Sequence, residues 1–212
     1  MDPNRRKRNE MAAQRVIKGL ESRNMEGYYA ESKEEALKKA LELIPEGSSV
    51  GWGGSMSIKE MGLLDAVCSG NYTVYNRDIC KTPEEKRKTQ LQIFTSDYFL
   101  CSTNAITEDG VLVNVDGTAN RVSCICWGPA NVVMIVGMNK LVKSVEDAIS
   151  RARHEAAPIN AQRFGLDTPC SKTGVCANCK SPDTVCCQVL VTRYSKEKGR
   201  IKVILVNDEM GF

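Results

Sequence analysis

The residues most able to do chemistry are cysteines. The chain has 10 Cys and a single His, and five of the ten lie between Cys170 and Cys187. Cys170, Cys176, Cys179 and Cys186 are separated by five, two and six residues, with Cys187 doubling the last position. No apolar export signal follows the basic start Arg5–Arg8, so a reducing, cytoplasmic setting is expected. There a Cys cluster reads as a metal or redox site rather than as bridges. Four thiolates without a neighbouring His suit a [4Fe–4S] cluster, with Zn as the alternative and a metal-free loop as the bland account. Structural zinc favours two short Cys knuckles, and only Cys176–Cys179 qualifies. Pro169, Gly174 and Pro182 keep the segment irregular, so that it can wrap around a centre. Cys186 is the expected fourth ligand and Cys187 the spare. Cys68, Cys80, Cys101, Cys124 and Cys126 read as small buried apolar residues.

A second constellation follows the strand at Ser48–Trp52. Gly51-Trp52-Gly53-Gly54-Ser55-Met56-Ser57 joins that strand to a helix. Glycines admit an anion close to backbone N–H groups, and the two serines add hydroxyls. Gly53, Gly54, Ser55 and Ser57 are therefore candidate binders of a phosphate or carboxylate; a tight turn capped by Ser57 is the competing account. A polar string, Ser102–Gly110 and Asp116–Arg121, also follows a strand. Polar residues at strand carboxyl ends belong to sites more often than to cores. Glu108, Asn104 and Arg121 are the candidate catalytic residues, with Asn120 as a binder. Asn104 is an amide and cannot serve as a general base. Asp109-Gly110 reads as turn chemistry alone. Lys140, after the apolar run Val132–Gly137, is a further anion binder or an exposed lysine. His154 reads as a cation at a helix end, and Trp52 as core or a cover for the pocket.

These residues need a scaffold. The expected order is a helix up to about Gly27, a helix capped by Ser32 and Glu35, and strands at Ser48–Trp52, Tyr72–Tyr75 and Tyr98–Cys101. A helix over Ser57–Val67 and another opened by Pro83 come between them. A hairpin follows over Ala105–Thr107 and Val111–Val115, then a helix at Ala119–Cys126. The unbroken apolar strand Val132–Val136 indicates a parallel sheet covered on both faces. A helix over Val142–His154 ends near Pro158. Gln188–Arg193 and Arg200–Val206 read as an antiparallel pair. Strands alternating with helices give an α/β fold with a parallel-sheet sandwich, an added β-hairpin and an irregular Cys-rich segment. The division expected is 1–30 for an N-terminal helix, 31–165 for the α/β core, and 166–212 for the Cys-rich metal-binding segment with the last strands.

Val50–Ser57 together with Ser102–Arg121 resembles the lactate-utilisation (LUD) domain family, over about Arg15 to Phe212. The likeness is to the branch with a Cys-rich C-terminal segment. That family sits in the superfamily of ribose-5-phosphate isomerase, glucosamine-6-phosphate deaminase and CoA transferases. Isomerase relatives carry a catalytic Asp before the hairpin, where this chain has Ser102-Thr103-Asn104; the departure counts against a simple aldose–ketose isomerase. Glu108 is similar in place to the Glu of the family's hairpin. The resemblance implies an iron–sulfur protein acting in the oxidation of a small anionic metabolite, a hydroxy acid or similar, with an electron-transfer partner protein. The alternatives are a non-catalytic electron-transfer or scaffold subunit, and a phosphosugar or CoA-thioester enzyme with a structural metal. A homo-oligomer is the expected assembly.

With 212 residues, 42% of them hydrophobic, the chain can bury one substantial core. A net charge of +3 from 29 basic and 26 acidic residues gives no polybasic theme, and the basic start lacks interleaved aromatics, so no nucleic-acid role is expected. No apolar run approaches the ~20 residues of a membrane span.

Overall fold

The computed structural model describes all 212 residues. In chain order its elements are α1 (Pro3–Ser22), β1 (Glu26–Ala30), α2 (Lys33–Glu42), β2 (Ser49–Trp52), α3 (Met56–Glu60), α4 (Leu63–Ser69), β3 (Thr73–Tyr75), α5 (Pro83–Phe94), β4 (Tyr98–Cys101) and β5 (Ala105–Thr107). There follow β6 (Leu112–Asp116), α6 (Asn120–Cys126), β7 (Asn131–Gly137), β8 (Leu141–Val142), α7 (Val145–Arg151), α8 (Ala157–Arg163), α9 (Pro169–Thr173), β9 (Gln188–Thr192) and β10 (Ile201–Val206).

Six strands form one sheet in the order β1-β10-β7-β4-β2-β3, and every pairing in it is parallel. Alternate residues of β7 feed opposite cores, as the pleat requires. Val132, Met134 and Val136 pack with Val16 and Leu20 of α1, Ile93 of α5 and Ile125 of α6. Val133 and Ile135 pack with Ala36 and Ala40 of α2, Ile58 of α3 and Leu63 of α4. Burial on both faces explains why β7 and β10 read as nearly continuous apolar runs. The result is the expected α/β sandwich, consistent with an isomerase/transferase-like fold.

The hairpin belongs to a second sheet, β8-β5-β6-β9, which rests on Ala148 of α7 and on Ala152. Its turn is pressed onto α1. Gly110 has φ +87°, and a Cβ on Gly19 would stand 2.4 Å from the Asp109 backbone. Only glycine permits that approach.

Local chemistry sets the element ends. Ser32 Oγ accepts from Glu35 N, and Thr82 with Glu85 forms a full capping box ahead of Pro83.

Four expectations change. The first helix ends at Ser22, and 26–30 is an edge strand. The helix over Ser57–Val67 is two pieces, broken at Gly62 with φ +75°. The last two strands are not a pair: β9 runs antiparallel to β6, while β10 lies between β1 and β7 in the main sheet. The 166–212 stretch thus contributes a central strand to the core. Finally, the helix does not stop near Pro158. A π turn over Ala152–Ala156 widens it, and Pro158 then takes the second position of α8, where its missing N–H is not required.

Candidate functional site

Because the main sheet is wholly parallel, the carboxyl ends of β2, β4 and β7 lie side by side on one edge, the place where open α/β sheets bind ligands. The loops leaving those ends converge on a cavity of about 420 Å³. Gly54, Ser55 and Met56 come from after β2, Ser102, Thr103 and Asn104 from after β4, and Lys140 from after β7. Asp116–Thr118, Asn120 and Arg121 form another side, and Asn160 and Arg163 of α8 a third. Pro182–Val185, from the Cys-rich segment, close it.

The cavity is cationic. Arg121 donates to Ser102 O (2.9 Å), Asn114 Oδ1 (2.6 Å), Asn104 Oδ1 (2.8 Å) and Val115 O (2.8 Å), all neutral oxygens. Burial, with the Arg77 charge nearby, lowers its pKa, against the pull of Cys101 and Asp116. Asp116 does not neutralise it directly, since that carboxylate accepts from the backbone N–H groups of Thr118, Ala119, Arg121 and Val122 and so holds the start of α6. Arg77 and Arg163 meet across Gly54. A Cβ there would lie 3.3 Å from Arg77 Nη2 and 3.6 Å from Arg163 Nη2. Desolvation and then repulsion from Arg77 lower the Arg163 pKa. Two guanidiniums facing one another across a bare glycine are the arrangement an anion relieves. Ser55 Oγ and Asn160 Oδ1, both on this cavity, are buried without a partner in the protein.

Lys140 is 2% exposed and contacts no carboxylate. Its amine lies 3.1 Å from Ser57 Oγ and 3.0 Å from Ser102 Oγ. Burial, and then the Arg151 and Arg121 charges, pull its pKa down to about 7.

Of the residues singled out from the sequence, Gly54, Ser55, Asn104, Asn120, Arg121 and Lys140 line the cavity. Gly53 and Ser57 stand just behind it, Gly53 against the Arg121 side chain and Ser57 on Lys140. Glu108 is not among the lining residues; it sits at the hairpin's far turn, its N–H bonded to Val142 O. Trp52 is core, donating to Asp78 Oδ2 at 3.0 Å. His154 is on an exposed face within the continuing helix and meets Ser150, not a helix end. Cys101 and Cys124 are buried, with burial pushing the Cys101 thiol up to about 12, whereas Cys68 and Cys126 are exposed and Cys80 is half-buried.

Arg77, Ser102 and Arg163 were not singled out. Arg77 and Ser102 follow the carboxyl ends of β3 and β4, a position that marks them. Arg163 lies beyond Pro158, and no local signal carries the helix that far.

A second, smaller cavity adjoins the first. Cys170, Cys176, Cys179 and Cys186 all line it, with Thr168, Thr184 and Arg153. Thr168 Oγ1 is 3.3 Å from Cys170 Sγ, and Thr184 Oγ1 is 3.3 Å from Cys186 Sγ. Cys187 is exposed, its thiol directed to Thr184 O. All ten cysteines are free thiols. No three metal-binding side chains are drawn tightly enough together to hold a single ion. Ala157, Thr184 and Val185 line both cavities, so one wall separates the thiols from the cationic chamber.

The fold and this edge define an α/β protein with a cationic cavity at the carboxyl ends of a parallel sheet. The LUD domain family matches residues 13–206, and the chain belongs to that family. Membership suggests a role related to lactate utilisation. In fold, the chain is similar to the crystal structure of a DUF162 family protein from Deinococcus radiodurans, with a TM-score of 0.53 and 11% identity over 93% of this chain and 98% of that one. No curated protein matches it in sequence. No helix is long and apolar enough to cross a membrane.

Proposed function

We propose that the cationic cavity binds a small anionic metabolite, a hydroxy acid or similar, and that Cys170, Cys176, Cys179 and Cys186 hold a [4Fe–4S] cluster behind its wall, the two working together in oxidation of that metabolite. The observation that carries this reading is the shared wall of Ala157, Thr184 and Val185.

Four Cys without a neighbouring His are a donor set that suits such a cluster. All four thiols line one small cavity of about 10 Å³. Thr168 and Thr184 each offer a hydroxyl to a ligand sulfur, the kind of contact that tunes a cluster's potential. When bound, a cluster with four Cys ligands supplies one-electron transfer. The residues of the chain do the rest. Arg77 and Arg163 take the carboxylate, Ser55 and Asn160 are free to bond the substrate's hydroxyl, and Arg121 keeps the field positive. A protein partner able to take up electrons at the half-exposed Cys segment completes the scheme.

Calorimetric titration of the anaerobically purified chain with lactate, and separately with inorganic phosphate, tests the cavity. Binding of either that disappears in Arg77→Gln/Arg163→Gln is expected. No binding, or binding indifferent to both arginines, would overturn the reading.

A further inference from the structure

At the floor of the cationic cavity lies a cluster that anion binding leaves unused. The first turn of α3 and the segments after β4 and β7 deliver Ser57, Ser102 and Lys140 to one point. The lysine amine is within 3.0 Å of Ser102 Oγ and 3.1 Å of Ser57 Oγ. Ser57 Oγ in turn donates to Met210 O at 3.1 Å, which fixes its lone pairs toward the amine. Ser102 and Lys140 line the cavity, while Ser57 is fully buried behind them. A nucleophile in hydrogen-bond reach of a base, with the base oriented by a third group, is the general signature of nucleophilic catalysis.

We propose that Ser102 is a nucleophile, that Lys140 is its general base held in place by Ser57, and that the site cleaves an ester or thioester of a small acid bearing a second, anionic arm. Only the anionic arm rests on the reading of the cavity given above. The arm lies at Arg77 and Arg163 and the acyl carbon at Ser102. As the Ser102 Oγ–carbon bond forms, the hydroxyl proton passes to Lys140 Nζ and the carbonyl electron pair moves to oxygen. Collapse breaks the carbon–oxygen or carbon–sulfur bond, and Lys140 returns the proton to the departing alkoxide or thiolate. Water then attacks the acyl-serine, giving its proton through Lys140 to Ser102. The sum is ester plus water to acid plus alcohol or thiol, with no change of oxidation state. Asn104 supports the oxygen that gains charge: its Oδ1 is engaged by Val115 N and Arg121, which leaves its amide N–H groups open to the cavity.

A base must be neutral to act, and the surroundings of Lys140 favour that. Arg151 from α7 and Arg121 from α6 repel a positive charge, Glu60 from α3 and the Cys101 thiol of β4 oppose them, and burial dominates.

The test uses the full-length, anaerobically purified chain and an uncharged fluorophosphonate, with peptide mass spectrometry to locate the label. Labelling at Ser102 is expected, with a rate that rises with pH around a midpoint of about 7. In Lys140→Arg the rate falls about 100-fold, and in Ser57→Ala the midpoint shifts while labelling persists; circular dichroism checks that both variants are folded. The wild-type chain alone can refute the proposal, since no label at Ser102 between about pH 5 and about pH 9 would overturn it. So would a rate unchanged in folded Lys140→Arg. Hydrolysis of the mono-p-nitrophenyl ester of glutaric acid is then compared with that of p-nitrophenyl acetate. Preference for the anionic ester supports the assigned arm, and its absence beside normal Ser102 labelling overturns the arm but not the nucleophile. Lactate or phosphate binding without any Ser102 label would sink the nucleophile and leave the anion site standing.

Discussion

Two chambers share a wall and are held in opposite ways. The cationic chamber is built on the ends of three parallel strands, and its central guanidinium, Arg121, is anchored by four hydrogen bonds. The thiol chamber has no such frame. Between residues 166 and 187 only Thr168 is buried, and the sole helix is the single turn α9. The first chamber is therefore organised by folding itself. On the proposed reading the second would depend on the centre its thiols hold, because binding an inorganic centre contributes directly to the free energy of ordering a loop that has little core. Charge follows the same division: Arg121, with no carboxylate in ion-pair contact, survives in the first chamber because two backbone carbonyls and two side-chain amides fix it there.

The largest effect that would break this contrast is expected in Cys176→Ser/Cys179→Ser. The variant should lose the cluster's absorbance near ~400 nm, and limited proteolysis should cut within 166–187 while the rest resists. A segment that stays resistant without its thiols would show a frame of its own. Next comes Arg121→Ala, which strips partners from Asn104, Asn114, Ser102 O and Val115 O. A loss of about 3 kcal/mol in denaturant unfolding is expected, with the absorbance kept in the folded protein. Smaller again, Arg163→Gln should weaken anion binding about tenfold in calorimetry, leaving the thermal midpoint almost unchanged because that guanidinium has no protein hydrogen bond to lose. A separate, pH-dependent effect concerns Lys140. Its pKa is lower folded, about 7, than unfolded, about 10.4. Between those values the unfolded chain binds the extra proton, so stability from this group rises with pH across the window, and the cost of the buried charge is fully present below it. Thermal midpoints in Lys140→Met should show a flatter rise over the same window.

The sequence exposes the first chamber better than the second sheet around it. β2, β4 and β7 are short apolar runs followed closely by Gly, Ser and Asn, and that juxtaposition marks the edge where Gly54, Ser55, Asn104 and Lys140 line the cavity. β10 misled because it is adjacent in sequence to β9. Its Ile201, Val203 and Leu205 face one core and Ile204 and Val206 the other, a two-sided burial that marks a central parallel strand. β1, with Glu26, Gly27 and half-buried tyrosines, has no such signature. Glu108 drew notice for its likeness in place to the Glu of the family's hairpin, but the close approach of Gly110 and Gly19 carries that turn to α1, away from the strand ends. Arg163 was hidden because Pro158 ordinarily stops a helix, and the π turn that lets this one continue leaves no local mark. The Cys spacing was legible, since residue type alone limits what four clustered thiols can do.

Iron and acid-labile sulfide, quantified per chain after anaerobic purification, test the central claim most directly. About four of each is the expected result for one cubane, retained in Cys187→Ser and lost in Cys186→Ser. A chain with zinc in place of iron, or with neither metal and all ten thiols titrating freely, would contradict the account.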